Sequence, residues 1–128
     1  TAQYVEELYE HWLMKTAKAV LKNKVESYSE RLGINTPEKI AIKRLKNRWG
    51  SINKYRDTIN LNVNLLKTPD DVMNYMILHE ICHLKIKEHS YRFWDLLRKF
   101  MPDYQEKIDW LRVNGSNLVE DNLVHFEY

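Results

Sequence analysis

Between Asp70 and Leu84 the chain is too apolar for a surface element and too rich in ionisable groups for an ordinary core. Val72, Met73, Met76, Ile77, Ile81 and Leu84 recur at helical spacing over more than one face, which predicts a helix buried around much of its circumference. Thr68-Pro69-Asp70-Asp71 marks its start: Thr68 can cap, Pro69 suits the first helical position, and the aspartates favour the positive end of the dipole. Within it lie His79, Glu80 and His83, and ionisable groups in an apolar helix are costly to bury unless paired or ligated. The fold must therefore place this helix at its centre and give those three residues something to hold.

Two histidines four residues apart share one helical face, about 6 Å apart along the axis, so both imidazoles can reach a single ion. Zinc suits that geometry; a catalytic zinc takes three protein ligands and keeps one position open, so a further donor is required. His89, six residues beyond His83, is the nearest. Glu80, next to the first histidine, can turn its carboxylate toward the open position and serve as general base for water. Cys82 reads as helical packing, and neither His11 nor His125 is given a metal role.

At 128 residues, 44% hydrophobic and 12% aromatic, the chain is sized for one domain, residues 1–128, with a sizeable core. It begins at Thr1, as an excised or processed domain would. One cysteine excludes an internal disulfide framework and a cysteine-rich zinc module, and with no secretory pattern the expected location is cytoplasmic. No apolar run approaches the roughly 20 residues a membrane helix needs, so no membrane partner is expected. Net charge is only +2 but uneven, with 13 basic against 7 acidic residues up to Lys67 and 7 against 11 beyond it. The segment 39–56 is the most basic, with Lys39, Lys43, Arg44, Lys46, Arg48, Lys54 and Arg56. A solvated strand face and loop account for it, and the same patch offers an electrostatic footprint for a nucleotide or nucleic acid.

Residues 3–32 read as one long helix or two abutting ones, with a broken stripe of Val5, Leu8, Trp12, Leu21, Val25, Tyr28 and Leu32 and with Gly33 as terminator. Tyr4, Tyr9 and Trp12 are expected in the core. Ile40 and Ile42 alternate with Ala41 and Lys43, and Ile59, Leu61 and Val63 with Thr58, Asn60 and Asn62, predicting two strands paired antiparallel across a loop at 50–57. The motif helix should end at 86–88. A helix opened by His89-Ser90 carries Phe93, Trp94, Leu97 and Phe100; after Pro102, Asp103 caps a last helix with Tyr104, Ile108 and Leu111, closed by Gly115. A short extended stretch at 123–126 follows. The fold class is α+β, with a long N-terminal helix, a small antiparallel sheet, the central helix and two C-terminal helices.

Arg48-Trp49-Gly50-Ser51, Ile59-Asn60-Leu61-Asn62, the run from His79 to Leu84, His89-Ser90 with Phe93-Trp94, and Met101-Pro102-Asp103-Tyr104 stand in this order along residues 44–112. In these words the chain resembles the YgjP-like metallopeptidase domain family, related to WLM and SprT-like zincins. The resemblance implies a compact zincin-like domain in which His79, His83 and His89 ligate zinc and Glu80 activates water. Ile52 stands where that family commonly has cysteine, and Ile86 where it often has another histidine. A metzincin is disfavoured, because its turn glycine would fall on Ile86, and a β-branched residue suits a positive-φ turn poorly.

The expected function is zinc-dependent peptide hydrolysis with Glu80 as general base and a peptide or protein substrate. Arg48, Trp49, Asn60, Asn62 and Tyr91 are the candidate substrate contacts, and an extended peptide is expected along the strand at 58–62. Arg48, Tyr91, Arg92 and Tyr104 are candidates for oxyanion assistance. One alternative is nucleotide or phosphoanhydride hydrolysis on the same zinc site, with Arg44, Lys46, Arg48 and Arg56 receiving phosphates. A non-catalytic metal-containing binding domain is the other.

Overall fold

The computed structural model describes residues 1–115; the extended stretch expected at 123–126, with His125, lies outside the described residues. Helix α1 (Ala2–Leu32) starts at Thr1, whose hydroxyl accepts the Tyr4 N–H at 3.2 Å, and stops at Gly33, where φ of 71° needs a residue without a Cβ. Leu13, Ala17, Leu21, Val25, Tyr28 and Leu32 are buried at steps of four and three, the spacing of a single helical face.

The first turns of α1 correct the sequence reading. Tyr4, Val5, Leu8, Tyr9 and Trp12 are 45–64% exposed rather than core. Length is the reason: at 31 residues α1 runs about 46 Å, whereas α2 (Asp70–His83), with 14, runs about 21 Å and cannot accompany it throughout.

Further along, Lys24 Nζ lies 2.7 Å from both Asp70 Oδ1 and Asn74 Oδ1, pinning α1 to the first turn of α2. The Lys24 hydrogen bond holds the Asp70 carboxyl below its ordinary value of 3.8, so the stabilisation is present above that value and is lost as pH falls through the lower native one. Asp70 is largely exposed. Asp70→Asn is accordingly expected to lower stability at pH 7 by no more than about 1 kcal/mol. Urea unfolding curves of parent and variant should converge on acidification below pH 3.8.

The sheet contains β1 (Lys39–Lys43), β2 (Gly50–Asn53) and β3 (Thr58–Asn62) in the order β1-β3-β2. The pair expected to be antiparallel, β1 and β3, is parallel, and β3 is antiparallel to β2, a strand inside the stretch read as loop. Alternation of buried and exposed residues is the same in either pairing, so it could not settle direction, and β2 is only four residues of loop-like composition. Ile59 and Leu61 are fully buried on the inner face. The outer face is polar and carries Lys39, Ala41, Lys43, Ser51, Asn53, Thr58 and Asn60.

Thr68 does not cap α2. Its hydroxyl donates to Leu65 O at 2.6 Å, closing the 3₁₀ turn Val63–Lys67, and Pro69 occupies the cap position. Helix α2 packs against α1, β2, α3 (Tyr91–Phe100) and α4 (Tyr104–Asn114), which accounts for burial of all but a few of its residues. Ser90 and Asp103 hold the cap positions of α3 and α4 without side-chain cap bonds, the Asp103 carboxylate accepting from Lys107 Nζ at 2.5 Å instead. Among the described residues no helix is long and apolar enough to cross a membrane.

Candidate metal centre

Helix α2 ends at His83, earlier than expected, because the amides of Leu84, Lys85 and Ile86 turn back onto the Ile81 and Cys82 carbonyls at 2.9–3.0 Å. A continuous helix would have carried His89 about 9 Å further along the axis and most of the way to the opposite side. The break folds it back. His79, His83 and His89 then present Nε2 atoms separated by 3.2 Å (79–83), 2.9 Å (83–89) and 3.1 Å (79–89).

Three imidazole nitrogens cannot all satisfy one another at such distances, since each directs either one proton or one lone pair along a single in-plane axis. One shared cation satisfies all three. Tetrahedral zinc with Zn–N of about 2.0–2.1 Å needs nitrogen–nitrogen edges of about 3.3–3.4 Å, slightly wider than those present, so the donor set fits a small divalent ion. These residues form a group that could hold a metal ion.

Neighbouring groups set the rings in ligating form. His83 Nδ1–H donates to Ile86 O at 3.1 Å, which leaves Nε2 as the lone-pair atom. His79 Nδ1 lies 3.2 Å from the hydroxyl of Tyr75, fully buried one turn earlier, and in the tautomer that frees Nε2 the ring donates to it. Burial, then the other two imidazoles, holds the His79 pKa well below the ordinary 6.5, favouring the neutral ring. Phe93, fully buried in α3, stacks on His83 with centroids 4.5 Å apart, and Trp94 lies tilted on His89 at 5.7 Å. Burial pushes the Cys82 thiol up to about 12, so it is an inert packing group.

Glu80, 3% exposed, lies where α2 faces β2 and lines a cleft of about 620 Å³ together with His83. Gly50 makes that placement possible. A Cβ there would meet Glu80 Cγ and Asn60 O at 3.0 Å and Leu61 Cδ2 at 3.2 Å. Asn60 O belongs to the central strand and cannot yield, so the carboxylate side chain would have to. Gly50→Ala is expected to lower stability by about 1–3 kcal/mol as an overpacked site and to reduce hydrolysis at unchanged metal content. Thermal unfolding, metal analysis and turnover on one preparation check this.

The expected substrate contacts separate. Arg48 and Asn60 line the cleft. Trp49 and Asn62 are buried instead, 1% and 0% exposed, and Asn62 Nδ2 donates to Leu45 O and Arg48 O at 2.9 and 3.0 Å, fixing the turn before β2. Tyr91, 77% exposed on the first turn of α3, is not among the cleft's lining residues. Nor is Arg92 or Tyr104, and the Tyr104 ring stacks on Trp94 instead. Ser51, Lys54 and Lys87 line the cleft without having been singled out, because nothing local in the sequence distinguishes them from other surface polar groups. Tyr75 was not singled out either, although its position four residues before His79 places it on the same helical face.

A three-histidine cluster at the end of a buried helix, with a glutamate beside it and a cleft in front, defines the class of metal-dependent hydrolases built on a helix-borne pair of histidines. The sequence profile of the YgjP-like metallopeptidase domain matches residues 1–114, and the chain belongs to that family. Among solved structures it is similar to the metallopeptidase zymogen abylysin of Pyrococcus abyssi, with TM-score 0.66 and 27% identity over 78% of this chain and 97% of that one. It is likewise similar to the metallopeptidase zymogen jannalysin of Methanocaldococcus jannaschii, with TM-score 0.63 and 28% identity over 75% of this chain and 88% of that one. A curated relative, the UTP pyrophosphatase of Escherichia coli, is 26% identical over 81% of this chain and 60% of its own length. The chain spans 60–66% of the length of the curated relatives it matches. What the profile covers is a metallopeptidase domain, and both solved neighbours are metallopeptidase zymogens.

Proposed function

We propose that the protein is a zinc-dependent metallopeptidase in which His79, His83 and His89 hold the ion and Glu80 is the general base. The observation that carries the reading is the triangle of Nε2 atoms beside a cleft that Glu80 also lines. Bound zinc would supply Lewis-acid polarisation of the scissile carbonyl and a lowered pKa for water. The chain's own residues supply the proton path. Glu80 takes the proton as water adds to the carbonyl carbon and returns it to the amine nitrogen as the C–N bond breaks.

The strand expected to receive an extended substrate, β3, is hydrogen-bonded on both sides and therefore closed to it. The edge strand β2 lines the cleft through Ser51, Ile52 and Asn53, and a peptide added along its outer edge would run past Glu80. The test joins metal analysis to a broad peptide-hydrolysis screen of the parent and Glu80→Gln. Hydrolysis by the parent, lost in a variant of equal metal content, is expected; equal turnover in both would sink the base role.

A second reading, nucleoside triphosphate hydrolysis on the same site, is favoured by the name of the Escherichia coli relative and by the cations of the cleft. Parallel assays of peptide and UTP cleavage decide between them.

A further inference from the structure

The cleft is asymmetric in charge. Arg48 from the turn before β2, Lys54 from the β2–β3 turn and Lys87 from the turn after α2 reach it from three separate segments, and among the described residues Glu80 is the one carboxylate in its lining. Four basic side chains outside the cleft are ion-paired: Lys24 with Asp70, Arg44 with Glu10, Arg98 with Asp95, Lys107 with Asp103. Arg48, Lys54 and Lys87 have no carboxylate within ion-pair distance among the described residues.

The groove also continues. Asn53 and Asn60 line both this cleft and a smaller one of about 140 Å³ on the outer face of the sheet, whose other walls include Lys39, Lys43 and Arg56. Six cations thus follow one path from the buried glutamate across the polar face. Asp57, the acidic residue in the same turn, uses its carboxylate to accept the Glu38 N–H at 3.0 Å. A concave surface lined by one sign of charge concentrates ligands of the opposite sign.

We propose that this groove selects protein substrates with acidic side chains beside the scissile bond, Arg48, Lys54 and Lys87 reading the residues nearest Glu80 and Lys39, Lys43 and Arg56 those further along. The proposal rests on the metallopeptidase reading and adds the substrate class to it. An acidic peptide is favoured over a polynucleotide or nucleotide because the groove starts at the site of a metallopeptidase domain and runs beside an edge strand, which pairs with peptide backbone.

The test separates binding from turnover. Labelled peptides of one length, carrying Glu, Gln or Lys at the flanking positions, are titrated by fluorescence anisotropy into the Glu80→Gln protein at low and high ionic strength. The Glu peptide is expected to bind about ten-fold more tightly than the Gln peptide at low salt, with the advantage shrinking as salt rises. Lys54→Glu and Lys87→Glu, both at exposed turns, should each reduce the Glu-to-Gln affinity ratio; Lys54→Gln should reduce it less. Equal binding of the three peptides, a ratio unmoved by these variants, or displacement of the Glu peptide by UTP or a short oligonucleotide at lower concentration than by unlabelled Glu peptide would overturn the proposal. Absence of hydrolysis by the parent, with preferential binding intact, would count against the catalytic reading and not against this one.

Discussion

Glu80→Gln is expected to reduce peptide turnover by about 10²–10⁴-fold or more while metal per chain stays the same. The two side chains have the same shape, and the slot between α2 and Gly50 that receives one receives the other. What is lost is the ability to take a proton from water at neutral pH. Because Glu80 is not one of the three clustered nitrogen donors, its removal should not release the ion. The loss should fall on kcat, since the proton transfer belongs to the transition state and not to substrate binding. Steady-state kinetics with metal analysis on the same preparations measure both, and a variant that turns over like the parent, or that loses its metal, contradicts the assignment.

His89→Ala should do the opposite and empty the site. Groups that merely orient a metal ligand are worth about 10–100-fold in affinity, so deletion of a ligand is expected to exceed 100-fold. The consequence for the fold should be small. His89 is exposed, in the turn between α2 and α3, and among the described residues its ring contacts are to the other histidines and to Phe93 and Trp94. Chelator competition gives the affinity, and unfolding of parent and variant in excess chelator should coincide within a few tenths of a kcal/mol. Full metal occupancy in the variant would remove His89 from the ligand set.

The parts of the site that were legible are those within one helical turn of each other. His79 and His83 share a face because an α-helix repeats every 3.6 residues, with Glu80 next to the first of them; the same period places Tyr75 beneath His79, although Tyr75 was not singled out. The buried circumference of α2 was legible for the same reason, as were the stop at Gly33 and the two helices following His89. Strand alternation located β1 and β3 but not their direction, since a pleat alternates whichever way its neighbour runs. The exposed aromatics of α1 show the converse. Tyr4, Tyr9 and Trp12 have core composition, yet burial needs a partner surface, and α2 is too short to provide one.

Asn62 and Trp49 lie within words the family resemblance highlighted, and the structure assigns both to the interior. Asn62 holds the 45–48 turn by two hydrogen bonds, a job no local pattern announces, because its partners lie 14 and 17 residues away. Gly50 is the same case: its requirement for an absent Cβ comes from Asn60 and Glu80, ten and thirty positions on. Sequence by itself determined the buried helix, its pair of histidines and the glutamate between them, all set by interactions within a few residues. The tertiary structure alone decided that α2 stops at His83 so that His89 returns, that β2 and not β3 is the open edge, and that cations from three turns meet in one cleft. The first rests on turn hydrogen bonds that helical periodicity does not announce, and the other two on contacts between segments far apart in the chain, where helical and strand periodicities carry no information.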